Sequence, residues 1–215
     1  MSELIAVLAG TPVDTQMGVD VLTNAGLSGL ACPLAQNPWE QTAFQISSSE
    51  EKWAKTLSVL RDAQKKGCQK AFIYCNSLSS SVDFPALAQE TGMKIVTPLD
   101  VYRLLAKNFK QLAFIAANAQ GLAGIERTLL SANPTLELRS AGLLPVVLSI
   151  EAGTPPAKLV TEHHLDELAA WFSACGAEAL LLGCTHFPYF KNELATRTNL
   201  PLIDPADEML RLLTT

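Results

Sequence analysis

Short apolar runs of Val, Ile and Leu alternate along the chain with stretches in which apolar residues recur every three or four positions. Strands buried on both faces read as continuous apolar runs, so this alternation predicts an α/β fold of repeated strand–helix units around mainly parallel sheets. The runs place strands at Leu4 to Ala9, Leu30 to Pro33, Ala71 to Cys75, Lys94 to Thr97, Gln111 to Ala117, Leu136 to Arg139, Ala179 to Gly183 and Leu202 to Asp204. Between the second and third, Ser48-Ser49-Glu50-Glu51 is a capping box. It opens a helix with Trp53, Leu57 and Leu60 on one face, closed by Lys65-Lys66-Gly67. Another helix is expected from near Thr161, burying Leu165, Leu168 and Phe172 and ending at Cys175-Gly176.

Compared with each other, the two halves of the chain match. Gly67 to Ser77 and Gly176 to His186 both read as a helix end, a buried strand, then Cys and two polar residues, at an offset of 109 between Cys75 and Cys184. Lys94 to Asp100 pairs with Pro201 to Asp207 at an offset of 107, and Leu4 to Leu8 with Leu112 to Ala116 at 108. Three matches at nearly half the chain length suggest two related, pseudo-symmetric α/β domains. The expected boundaries are 1–97 for the first, joined by a C-terminal helix at 205–215, and 98–204 for the second. Ligands of parallel α/β sheets sit beyond the carboxyl ends of strands, where each Cys stands. Two such halves facing one another would point Cys75 and Cys184 into one interdomain cleft, their sulfurs roughly 7 to 9 Å apart so that one carbon lies within proton-transfer reach of both.

Composition narrows the function classes. Of 215 residues, 48% are hydrophobic and 17% charged, which gives a sizeable core and excludes disorder. A net charge of −5 without a basic cluster argues against nucleic acid as a partner. Apolar runs stay far below the roughly 20 residues a membrane helix needs, the longest being Leu143 to Ile150. Glu3 before Leu4 to Leu8 argues against an export signal, so a cytoplasmic location is expected. Five cysteines without a Cys-x-x-Cys pair offer neither a disulfide framework nor a zinc site and read as reduced thiols.

A thiol shuttles protons well because its reference pKa of about 8.5 lies near neutrality. One thiolate and one thiol on opposite sides of a carbon can invert it, with backbone N–H groups, Asn76, Ser77 and Thr185 holding a substrate carboxylate. Ile73-Tyr74-Cys75-Asn76-Ser77 and Leu182-Gly183-Cys184-Thr185-His186-Phe187-Pro188 resemble the two cysteine motifs of the aspartate/glutamate racemase superfamily. That resemblance implies a cofactor-independent isomerase with no bound metal, taking a small amino acid, aspartate or glutamate, by 1,1-proton transfer. By similarity, Cys75 deprotonates the D-enantiomer and Cys184 the L-enantiomer, His186 tunes Cys184, and Asn76, Ser77 and Thr185 bind substrate. It also implies a last helix packed on the first domain.

The chain departs from the family after its first strand, where Ala9-Gly10-Thr11-Pro12-Val13-Asp14 replaces an Asp-Ser pair. Thr11 is expected to keep a substrate-binding role, while Asp14 falls several residues late. Asn118-Ala119-Gln120 stands where threonines are expected, and Asn118 keeps the hydrogen-bonding role. A hydantoin racemase, a related decarboxylase or cis-trans isomerase, and a non-catalytic binding protein are the competing functions, and a homodimer stays open. Cys32, Cys68 and Cys175 read as structural, His163-His164 as a solvated helix start, and Ser77 to Ser81 as helix-capping hydroxyls. Trp39, Trp53 and Trp171 are expected in a core or interface. Glu151 has two readings, assistance to His186 or surface exposure, of which exposure is favoured.

Overall fold

The computed structural model describes residues 3–215, which divide into two compact units. One comprises the chain up to Val101 together with Ala206–Thr215; the other is Tyr102–Pro205.

In the first unit the elements are β1 (Leu4–Ala9), α1 (Pro12–Asn24), β2 (Ser28–Pro33), α2 (Pro38–Ile46), α3 (Ser49–Lys65), β3 (Lys70–Ile73), α4 (Asn76–Ser81), α5 (Phe84–Thr91) and β4 (Lys94–Val96). The four strands form one parallel sheet in the order β2-β1-β3-β4. β1 is central and apolar on both faces, with Ile5 to Ala9 buried, whereas the edge strand β2 carries Ser28, Gly29 and Pro33 and is only partly covered. On one face of this sheet a core joins Leu8 and Ile73 with Leu34, Leu60, Leu78 and Leu87. α3 starts as the capping box predicts: Ser48 Oγ accepts from Glu51 N, and Glu51 Oε2 accepts from Ser48 N, each at 3.1 Å. The last helix, α12 (Ala206–Thr214), returns to pack on β3 and β4.

Helix α6 (Pro98–Leu105) carries the division between the units. The second unit continues with β5 (Gln111–Ala116), α7 (Ala119–Ala132), β6 (Glu137–Gly142), α8 (Leu144–Glu151), α9 (Pro156–Glu162), α10 (Leu165–Ala174), β7 (Leu180–Leu182), α11 (Pro188–Ala195) and β8 (Leu202–Ile203). Its parallel sheet runs β6-β5-β7-β8, the first unit's order repeated strand for strand. Again the central strand is the buried one, and the edge strand β6 reads Glu137-Leu138-Arg139-Ser140 with exposed polar positions.

One expectation needs correction here. The helix expected from Thr161 is two helices, because the chain breaks at His163-His164, where His164 adopts a left-handed backbone (φ 51°). Starting at Leu165 instead, α10 buries Leu165, Ala169 and Phe172, and Leu168 lies only half-buried. Of the tryptophans, Trp53 is half-buried against the first core, whereas Trp39 and Trp171 are exposed and lie outside it.

Candidate active site

Both units present the same local construction at the carboxyl ends of adjacent strands. In the first, β1 ends at Ala9, and two residues later Thr11 caps α1. β3 ends at Ile73, and two residues later Cys75 caps α4. In the second unit Asn118 caps α7 two residues beyond β5, its Oδ1 accepting from Gly121 N at 2.9 Å, and Cys184 follows β7 by two residues. β1 pairs with β3 and β5 with β7, so each thiol lies on the strand beside that of its unit's capping residue.

Cys75 is buried, with 5% of its surface exposed. Its carbonyl is held by Ser79 N at 3.0 Å and Ser79 Oγ at 2.6 Å, which fixes the first turn of α4. Its Sγ lies 3.4 Å from Ser77 Oγ, and Ser77 Oγ accepts from Gln45 Nε2 at 2.9 Å. Asn76 and Ser77 are buried beside it. A narrow crevice reaches Cys75 between the end of β1, at Gly10, and the Gln41, Phe44 and Gln45 side chains of α2. A Cβ at Gly10 would fall on the Gln41 amide, which would have to swing aside.

Cys184 is also buried, as are Thr185 and His186. Gly183 lets the strand end approach its neighbour closely. Its N donates to Ile115 O at 2.8 Å, and a Cβ would lie 2.7 Å from that same oxygen and 2.5 Å from Ile125 Cδ1. Past it the chain turns, with Phe187 N donating to Cys184 O at 3.0 Å, and brings His186 Nδ1 to 3.7 Å from Cys184 Sγ. The other ring nitrogen, Nε2, meets Glu151 Oε1 at 3.2 Å. Glu151 ends α8, and its side chain is 24% exposed. A carboxylate in a helix's last turn opposes the helix dipole, a local cost that the imidazole offsets. With Glu151 accepting the Nε2 proton, the neutral ring turns its Nδ1 lone pair to the thiol, which is the tautomer needed to take the sulfur's proton.

Both readings of Glu151 hold: the residue is exposed, and its carboxylate still meets His186. Asp14 is the third residue of α1, where its carboxylate accepts from Gly10 N at 3.0 Å, Thr11 N at 2.5 Å and Thr11 Oγ1 at 2.8 Å. Thr97-Pro98-Leu99-Asp100 repeats the device at the end of β4, where Thr97 N and Oγ1 both donate to Asp100 Oδ2 at 2.8 Å. Thr-Pro-x-Asp occurring twice, with Pro at the first helical position, was legible in the chain as a capping signal. The serines after Ser77 bond backward rather than capping: Ser80 Oγ donates to Ser77 O and Ser81 Oγ to Leu78 O. His163 is a half-buried tie whose Nε2 lies 3.0 Å from Ser149 Oγ, and exposed His164 pairs with Glu167 at 2.9 Å.

Burial separates the remaining thiols of the first unit from a reactive role. It pushes Cys32 up to about 11, with Cys68 adding to the shift and Lys66 opposing it, and it pushes Cys68 up as well. None of the five cysteines is in a disulfide. Among the described residues no group of three or more His, Cys, Asp and Glu side chains is placed to hold a metal, and no helix is long and apolar enough to cross a membrane.

Residues 37–213 match the family described as Asp/Glu/Hydantoin racemase. A glutamate racemase from Limosilactobacillus reuteri is 37% identical over 90 residues, covering 40% of this chain and 32% of that protein. A glutamate racemase from Thermus thermophilus is 28% identical over 149 residues, 66% of this chain and 53% of that one. The matches thus span about a third and about half of the length of these curated relatives. In fold it is similar to the crystal structure of glutamate racemase from Francisella tularensis in complex with D-glutamate, with a TM-score of 0.71 at 18% identity, over 99% of this chain and 80% of that one.

Proposed function

The chain belongs to the Asp/Glu/hydantoin racemase family, and from that premise we propose that it is a cofactor-independent amino-acid racemase acting on aspartate or glutamate. One observation carries the reading: two topologically identical units each hold a buried cysteine two residues past the third strand of their sheet order. Duplication of a thiol at one structural position is what stereoinversion asks for, since one face of the α-carbon must lose a proton and the other gain one.

In this reading Cys75 removes the α-proton of the D-enantiomer and Cys184 that of the L-enantiomer. The C–H bond breaks toward the thiolate sulfur and its electron pair moves into the carboxylate as an enolate-like anion. The opposing thiol then delivers its proton to the other face. Asn76 and Thr185, each buried beside a cysteine, donate to the substrate's carboxylate, where the negative charge grows, and Ser77 lines the site beside Cys75. Thr11 and Asn118 complete the polar lining at the ends of the central strands. His186, oriented by Glu151, takes the proton from Cys184 to form the thiolate and imidazolium, and returns it after the reverse stroke. The barrier is high because an amino acid's α-proton is weakly acidic; excluding water from two buried sulfurs strengthens each of these electrostatic contributions. Reduced thiols are needed throughout, which agrees with a location in the cytoplasm.

The test is incubation of each enantiomer of aspartate and glutamate with the purified protein in deuterium oxide, followed by proton NMR and chiral chromatography. Racemisation with α-deuterium incorporation, insensitive to chelators and to carbonyl-trapping hydroxylamines, supports the reading. Loss of carbon dioxide, or no exchange with any amino acid at high enzyme concentration, overturns it.

A further inference from the structure

Cys184 has a titratable neighbour two residues on, whereas the matching position after Cys75 is Ser77. Ser77 is in turn bonded from a distant part of its own unit. Gln45 Nε2, thirty-two residues earlier on α2, donates to Ser77 Oγ at 2.9 Å, and Ser77 Oγ lies 3.4 Å from Cys75 Sγ. Gln45 is fixed at its other end, where its carbonyl accepts Lys52 Nζ from α3 at 3.5 Å. With Gln41 and Phe44 it forms the α2 side of the crevice on Cys75.

The polarity of this chain matters. A hydroxyl has one proton and two acceptor lone pairs. An amide donating into one lone pair leaves the proton available to turn toward the sulfur, and polarises the O–H bond as it does so. The sequence of donors is then N–H to hydroxyl and O–H to sulfur, which suits a sulfur that carries negative charge. We propose that Gln45 is a positioning residue for the reaction: acting through Ser77, it aims a hydroxyl proton at Cys75 and sets how readily that thiolate removes the substrate's α-proton. The proposal rests on the two-thiol reading given above.

Enantiomers have equal free energies, so kcat/KM of full racemisation is the same in both directions and cannot separate the thiols. Exchange of an α-proton with solvent on one face needs a single base, and does separate them. In a Cys184→Ser background, exchange of the D-enantiomer of whichever of aspartate and glutamate the wild type racemises reports on Cys75 alone. Gln45→Met keeps the side chain's length and removes the donor; it lowers kcat for this exchange about tenfold with KM within about twofold. Gln45→Glu also keeps the length but accepts from Ser77, drawing the hydroxyl proton away from sulfur, and lowers kcat further, about a hundredfold. In a Cys75→Ser background, exchange of the L-enantiomer through Cys184 follows neither substitution.

A bond that only fastened α2 to α4 would give a different ranking, with Gln45→Glu equal to or better than Gln45→Met. That ranking, a loss in KM rather than kcat, or equal losses for the two enantiomers overturns the role of Gln45 while leaving the two-thiol reading in place. Absence of exchange by the Cys184→Ser protein with Gln45 intact overturns both.

Discussion

Glu151 Oε1 lies 3.2 Å from His186 Nε2, although 35 residues separate the two along the chain. The pair makes the surroundings of the two thiols unlike each other: Cys184 faces an imidazole backed by a carboxylate, and Cys75 faces a hydroxyl backed by an amide.

Removing the charge of that carboxylate should leave the fold intact and slow proton transfer at Cys184. Glu151→Gln is expected to lower kcat by roughly 10- to 100-fold with little change in KM, since the amide can still accept from Nε2 but supports the imidazolium poorly. Steady-state racemisation followed by polarimetry measures it. A wild-type kcat would remove Glu151 from the proton path.

Separate faces for the two thiols predict separate losses. Cys75→Ser and Cys184→Ser should each abolish net racemisation, because a serine hydroxyl is a far weaker acid and a poor base. Each variant should still exchange the α-proton of one enantiomer in deuterium oxide, L for Cys75→Ser and D for Cys184→Ser. Proton NMR reads both. Full racemisation by either single variant would rule out the two-base assignment.

Gly183 should tolerate no side chain. Its missing Cβ leaves room for Ile115 O and Ile125 Cδ1, and a strand backbone cannot retreat from its own hydrogen-bonded neighbour. Gly183→Ala is expected to cost about 1–3 kcal/mol in chemical denaturation. Gly142→Ala, where the nearest atom is Leu122 Cδ1 at 3.3 Å, should cost less because that methyl can move.

The half-buried Cys32 thiol gives a pH signature. Its value in the fold, about 11, lies above the ordinary 9.0, so the unfolded chain releases this proton first as the pH rises. The contribution of Cys32 to stability is therefore whole below about pH 9 and is lost as the pH climbs to about 11. Thermal melts of the wild type should fall more steeply across that window than those of Cys32→Ala. At pH 8, iodoacetamide should leave Cys32 and Cys68 unmodified.

The sequence by itself determined the eight strands, the repeat and the two cysteine motifs. Those are local or periodic properties: runs such as Leu4–Ala9 and Gln111–Ala116 are apolar on both faces, and only the centre of a parallel sheet buries both. A capping box such as Ser48 to Glu51 spans four residues and needs no partner elsewhere. By the same logic Asp14 and Asp100 could have been read in advance as capping residues. Tertiary structure alone decided the strand order in each sheet, the break at His163-His164, and the partners of the thiols. Gln45 meets Ser77 and Glu151 meets His186 because helices packed on a sheet fold distant stretches of chain onto the same strand ends. Neither pair lies within a helical turn or a strand register, so no spacing records it. An apolar run such as Leu143 to Ile150 is equally suited to strand or helix; α8 forms because Pro145 fits a helix's first turn and the sheet already has its four strands. That helix carries Glu151 at its end, which makes the surroundings of Cys184 a consequence of packing.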